Sequence, residues 1–195
     1  MSYVVDGLYR LPNEPRNHFF FASVASTIIT SSASLTTLYF ITNCAPPRVR
    51  LFAWLLVQEK IQCKTNLRFK NVVDDAECEV CRVAVESPDH LILHCTIATQ
   101  FWAKLGISVH QASVSQLWKL DRPPGVPAQH YSTFLLLCAW QLWKHRHDVV
   151  FRSQEPSLLR LLLSCKEEAH LWSYRLPRQD KEVADAWCHV FCSNI

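Results

Sequence analysis

The stretch from Cys78 to Cys95 constrains the fold more than any other part of this 195-residue chain. It reads Cys78-Glu-Val-Cys81 and then His90-Leu-Ile-Leu-His94-Cys95. Two cysteines two residues apart, followed by a histidine and a third cysteine, offer three sulfurs and one nitrogen to a single tetrahedral zinc ion. The spacing is C-x2-C-x8-H-x4-C, and the expected ligands are Cys78, Cys81, His90 and Cys95. His94 is the rival for the nitrogen position. His90 is preferred because Cys95 is better served by a partner more than one residue away. A fourth protein ligand closes the zinc shell and leaves no open position for water, so the one Zn2+ is expected to be structural and the chain no enzyme.

The other cysteines set the redox context. The chain has nine, an odd number, with irregular spacing outside 78–95 and no clear secretory leader. Reduced thiols and a cytoplasmic or nuclear location are the expectation. Cys188-His189-x2-Cys192 has half the pattern of a second metal site but lacks the other half, so buried thiols are expected there. No nucleophile–base pair stands out in the sequence.

Charge changes sign along the middle of the chain. Between Arg48 and Lys70 six basic residues (Arg48, Arg50, Lys60, Lys64, Arg68 and Lys70) face one acid, Glu59. Between Asp74 and Asp89 six acids face one base, Arg82. Three thiolates on Zn2+ add a further negative charge, so the metal turn should repel phosphates. Nucleic acid, RNA or DNA, would have to bind through the basic stretch; a solvated helix face is the plainer reading of the same charges. The formal net charge of +3 does not imply nucleic-acid binding by itself. Asp74-Asp75 reads as an acidic loop, because a Mg2+ site would need a distant third carboxylate and a surrounding sheet.

Periodicity supplies the frame. Seven Trp and ten Phe against three Gly suggest helices packed on large side chains. After Pro46-Pro47, residues Val49, Phe52, Ala53 and Leu56 fall on one helical face, and Thr65 caps a short turn through Phe69. Ser87-Pro88-Asp89 is a helix start that carries His90 in its first turn. A helix from Thr96 to Leu105 closes at Gly106, and 111–120 is a short amphipathic piece. Tyr131 to Phe151 is an apolar helix with a basic end, too short in its apolar part to span a bilayer. After Pro156, the stripe Leu158, Leu159, Leu161, Leu162, Cys165, Ala169 and Trp172 marks its hairpin partner, which Pro177 ends. Glu182 to Phe191 is a last short helix. The expected class is mainly α, a small zinc-stapled helical domain followed by a helical hairpin. Its expected divisions are a poorly specified N-terminal segment (1–42), the zinc-binding domain (43–120), a Pro-rich linker (121–129) and a helical region (130–195). Phe19 to Pro47 carries no charged residue, but nine of the 23 positions in Phe19–Ile41 are Ser or Thr, so a membrane role is not expected.

Several of these motifs occur together in one order. Cys44-Ala-Pro-Pro-Arg-Val-Arg-Leu-Phe-Ala-Trp-Leu-Leu56, Thr65-Asn-Leu67, Cys78-x2-Cys81, Glu86-Ser-x-Asp89-His90-Leu91, Cys95 and Phe101-Trp102 resemble the reverse-transcriptase zinc-binding domain of plant non-LTR retrotransposons. The resemblance covers Asn43 to Gly106. Trp140-x2-Trp143-Lys-x-Arg146-x-Asp148-x2-Phe151 and Cys165-Lys-Glu-Glu-Ala169 resemble the segment downstream of that domain, with His147 where the family usually has Asn. The resemblance implies zinc on Cys78, Cys81, His90 and Cys95, and a fragment of an element without its polymerase.

The reading that follows is a retrotransposon-derived, non-catalytic zinc module with nucleic-acid contact through 48–70. The alternatives are a protein–protein adaptor whose Trp-rich helices offer an apolar groove, and a decayed fragment with no selected function. No small-molecule substrate is expected.

Overall fold

The computed structural model describes residues 44–195 and two short strands, β1 (Val4–Val5) and β2 (Leu8–Tyr9), paired antiparallel with Val4 opposite Tyr9 and Val5 opposite Leu8. The hairpin belongs to a separate unit. The rest of the expected 1–42 segment, including the uncharged run up to residue 43, lies outside the described residues. From Cys44 onward the described chain is one compact helical unit.

Helix α1 (Pro47–Val57) has Pro46 as its N-cap, where a missing amide costs nothing. It buries Val49, Phe52, Ala53 and Leu56, the expected stripe. Its far end turns at Glu59, which is left-handed (φ 56°), while the Glu59 and Lys60 amides donate to the carbonyls of Leu56 and Leu55. Helix α2 (Lys64–Phe69) ends the same way at Asn71, φ 55°. The residue at its N-cap is Cys63, not Thr65, whose hydroxyl donates to the Glu86 carbonyl instead. Helix α3 (Thr96–Lys104) closes as expected at Gly106, φ 72°, with the amides of Gly106 and Ile107 on the carbonyls of Ala103 and Trp102. A Cβ at that position would meet left-handed strain.

A 3-10 helix (Val114–Lys119) follows, capped by the Ser113 hydroxyl. The chain then passes through the Pro-rich 121–129 into α4 (Tyr131–Arg152), α5 (Leu158–Ser173), a 3-10 turn (Arg178–Asp180) and α6 (Lys181–Cys192). Helices α4 and α5 form the hairpin, and α6 lies along α5. Leu161, Leu162, Cys165, Ala169 and Trp172 face inward, whereas Leu159 of the expected stripe is 52% exposed.

One hydrophobic cluster runs from Ala45 to Phe191. Phe52 of α1 meets Trp140 edge-on at 5.2 Å and stacks on Trp143 at 5.9 Å, so the elements before and after 121–129 share a core. Val126 within that segment is fully buried. The prolines there mark irregular backbone, and the side chains on its two sides still pack together. Trp102, Trp140, Trp143, Trp172 and Trp187 are buried in this core. Among the described residues, no helix is long and apolar enough to cross a membrane.

Candidate metal centre

The first half of the centre is a loop folded back on itself. Glu77 and Val85 form a bridge, the Cys78 amide donates to the Ala84 carbonyl at 2.9 Å, and the Glu86 amide donates to the Ala76 carbonyl at 2.8 Å. Inside this frame the Arg82 amide reaches back to the Cys78 carbonyl at 2.8 Å, and Arg82 itself is left-handed, φ 53°. The chain between Cys78 and Arg82 therefore closes one tight turn, and both thiols face the same side.

The second half begins at Ser87, whose hydroxyl accepts the His90 amide at 3.0 Å ahead of Pro88. His90–His94 is then a π-turn, closed by the Cys95 amide on the His90 carbonyl. Five residues of regular α-helix turn through ~500°, which would leave side chains i and i+5 ~140° apart. The wider i to i+5 turn brings His90 and Cys95 round to one side. The buried Trp102 indole supports it by donating to the Ile92 carbonyl at 2.7 Å. Cys95 is also the N-cap of α3, where the helix end favours a thiolate.

The donor atoms of Cys78, Cys81, His90 and Cys95 all lie within 4.8 Å of one another. The sulfurs of Cys78 and Cys95 are 4.0 Å apart, and the Cys81 sulfur is 3.3 Å from His90 Nε2. Ordinary Zn–S and Zn–N bonds in a tetrahedron give edges of about 3.8 Å between sulfurs and about 3.6 Å between sulfur and nitrogen. The four donors fit one zinc ion. His94 is directed elsewhere, with Nε2 3.0 Å from the Ala112 carbonyl. A hydrogen bond with Cys95, followed by burial, pushes the Cys78 thiol up to about 12, while Cys78 holds the Cys95 thiol below its ordinary value. Both thiols give up their protons when a divalent cation binds.

Residues 24–102 match the family model described as zinc-binding in reverse transcriptase. Over those residues the chain is similar to the zinc-binding domain of reverse transcriptases. The match starts well before Asn43, where the resemblance had been expected to begin, and ends four residues short of Gly106. No curated protein and no solved structure matches the chain significantly.

The side chains that brace this centre were not evident in the sequence. Glu86 is fully buried and accepts from the Lys64 amide (2.8 Å) and from Arg146 of α4 through Nε (3.2 Å) and a terminal nitrogen (2.8 Å). Lys64 is buried as well, with Nζ 2.8 Å from Asp75 and 2.7 Å from Glu79. Burial pulls the Lys64 ammonium down, but hydrogen bonds to Asp75 and Glu79 outweigh it and the pKa is raised. The basic and acidic stretches therefore meet, and Lys64 leaves the open basic set. Arg48, with its side chain 52% exposed, lies over the Trp140 ring and 3.8 Å from Glu168, while Arg50 is half-buried. Lys60, Arg68 and Lys70 are exposed. Asn66 donates its amide to the carbonyls of Glu59 and Ile61, and Lys70 Nζ donates to Gln62. Arg68 lies towards Asp75.

The remaining cysteine pattern does not assemble. Cys188 donates to the Lys166 carbonyl and Cys192 is exposed, not buried as expected. Among the described residues only the 78–95 cluster gathers ligands at metal-binding distance.

Proposed function

We propose that this chain is a non-catalytic, retrotransposon-derived module in which Cys78, Cys81, His90 and Cys95 hold one structural zinc, and in which Lys60 and Lys70 contact nucleic acid backbone. The observation that carries the structural role is the convergence of four protein donors, a number that fills a tetrahedral zinc and excludes a water ligand. The bracing agrees with it, since Lys64, Glu86 and Arg146 spend their charges on holding the metal loop. Phosphate contact is assigned to Lys60 and Lys70 because both are exposed, whereas Arg48 and Lys64 already meet carboxylates. Arg50 is half-buried, and Arg68 lies towards Asp75.

Titration of single-stranded RNA and duplex DNA at two or more salt concentrations tests the assignment. Each phosphate contact contributes a slope of about −0.9 for duplex DNA and about −0.7 for a single strand in log affinity against log salt. The double variant Lys60→Glu, Lys70→Glu should weaken binding and flatten that slope by about two contacts, while zinc content stays at one ion per chain. Binding insensitive to both salt and the double variant would overturn the nucleic-acid reading and leave the metal reading intact.

A further inference from the structure

A second cluster of reactive side chains lies outside the metal centre, drawn from three distant parts of the chain. Cys44 precedes α1, His130 is the left-handed N-cap of α4 (φ 57°), and Asp180 ends the 3-10 turn before α6. The Cys44 sulfur is 3.8 Å from His130 Nδ1, and His130 Nε2 is 2.9 Å from an Asp180 carboxylate oxygen. The other oxygen of Asp180 accepts from the Gln129 amide at 2.6 Å. Asp180 is buried, the His130 side chain is 19% exposed, and Cys44 is half-buried.

The hydrogen-bond inventory decides the tautomer. A carboxylate can only accept, so neutral His130 carries its proton on Nε2 and turns the Nδ1 lone pair towards the sulfur. Gln129 fixes the carboxylate, the carboxylate fixes the ring, and the ring faces the thiol. That is a nucleophile, a base and a group that orients the base. A left-handed residue with a Cβ is costly, and its place here is the one that points the imidazole at Cys44.

We propose that Cys44 is a nucleophilic thiol that exchanges with small aliphatic disulfides, with His130 as its base and Asp180 as the positioning residue. The Cys44 S–H proton passes to His130 Nδ1 as the sulfur attacks one sulfur of the disulfide. A new S–S bond forms to Cys44, the old S–S bond breaks, and its electron pair leaves on the released thiolate. That thiolate takes the proton from Nδ1 and departs as a free thiol, so one disulfide and one thiol are consumed and one of each is produced. Exchange asks only for access to the sulfur, here on a half-buried Cys44, and for a proton for the leaving group, which His130 holds. Acyl transfer would ask in addition for preorganised donors around an oxyanion.

The other thiols provide internal controls. Cys138 and Cys165 are fully buried, and burial pushes both well above the ordinary thiol range. Cys192 is the most open cysteine. The zinc-loaded protein is exposed to oxidised glutathione, and mixed disulfide at each cysteine is followed by peptide mass mapping. Cys44 should be modified at least about tenfold faster than Cys192 although it is less exposed, the lower end of what a positioned base supplies being larger still. His130→Gln should remove that advantage and leave the Cys192 rate unchanged, and Asp180→Asn should reduce it. In denaturant the two cysteines should react alike. Equal rates at Cys44 and Cys192 in the native wild-type protein would overturn the proposal, whatever the variants do. So would a Cys44 advantage that survives His130→Gln in a protein of native helix content.

Discussion

Glu86 takes hydrogen bonds from the Lys64 amide and from two nitrogens of Arg146 without any exposure to solvent, one residue before Ser87, whose hydroxyl accepts the His90 amide. Removing one member of a buried pair leaves the other charged and dry, which costs about 3–5 kcal/mol. Arg146→Ala is therefore expected to lower unfolding free energy by about that much in urea titrations of the zinc-loaded protein. Arg146→Lys should recover only part, since an ammonium cannot span both carboxylate oxygens as a guanidinium does. A loss under 1 kcal/mol would mean that Glu86 finds another partner or takes up a proton. At this scale the sequence was uneven. The metal ligands were legible because their spacing is local and their side chains have few other uses in that pattern. Glu86 and Lys64 looked like members of an acidic and a basic stretch, because the partners that consume their charge sit 60 residues away or across a fold not yet visible. Cys44, His130 and Asp180 were hidden for the same reason.

Helix α4 is the element on which pH should act. His145 accepts the Ser157 amide at 3.3 Å, and His147 donates to the Trp143 carbonyl at 2.8 Å while its ring packs on Trp143. Burial lowers the pKa of both, assisted by Arg160 for His145 and Arg146 for His147. A group whose folded pKa lies below its unfolded value binds more protons when unfolded. Its contribution is complete above the unfolded value of about 6.5 and is lost as pH falls from there through the lower folded value. Urea midpoints should therefore hold steady from pH 8 to 7 and decline below about 6.5. His147→Gln should make that decline shallower. The difference between the two curves isolates His147, since the zinc ligands titrate in both. Parallel curves would remove His147 from the account. Helices with a clear 3.6-residue period, such as α1 and the α4–α5 pair, were readable because one apolar face is enough to define them. The π-turn was not, since over five residues its pattern cannot be told from an α-helix. The Cys63 cap was missed because Thr65 is the better capping residue and its hydroxyl had a stronger claim at Glu86.

For the whole molecule, the deciding fact is that the buried cluster continues from α1 to α6. Zinc in small zinc-finger peptides supplies on the order of 10 kcal/mol of apparent binding energy, which is comparable to the total stability of a domain. Stripping the ion with a strong chelator should therefore loosen the C-terminal helices along with the metal loop. Near-ultraviolet dichroism of the buried tryptophans should be lost in one transition, and readdition of one equivalent of zinc should restore it. A native aromatic signal persisting in the stripped protein would show that α4 to α6 stand without the metal. The helical class was visible in the abundance of large side chains and the scarcity of glycine. The unity of residues 44–195 was not, because proline and glycine report on backbone regularity and say nothing about which side chains meet across it. The family match ends at residue 102, yet the rings that cover Phe52 and the guanidinium that neutralises Glu86 belong to positions 140, 143 and 146. A genetic cassette cut at that border would carry off the ligands and abandon their insulation. Any shuffling event that moves this domain into a new host gene has to bring the later helices along, or land beside a surface able to replace them.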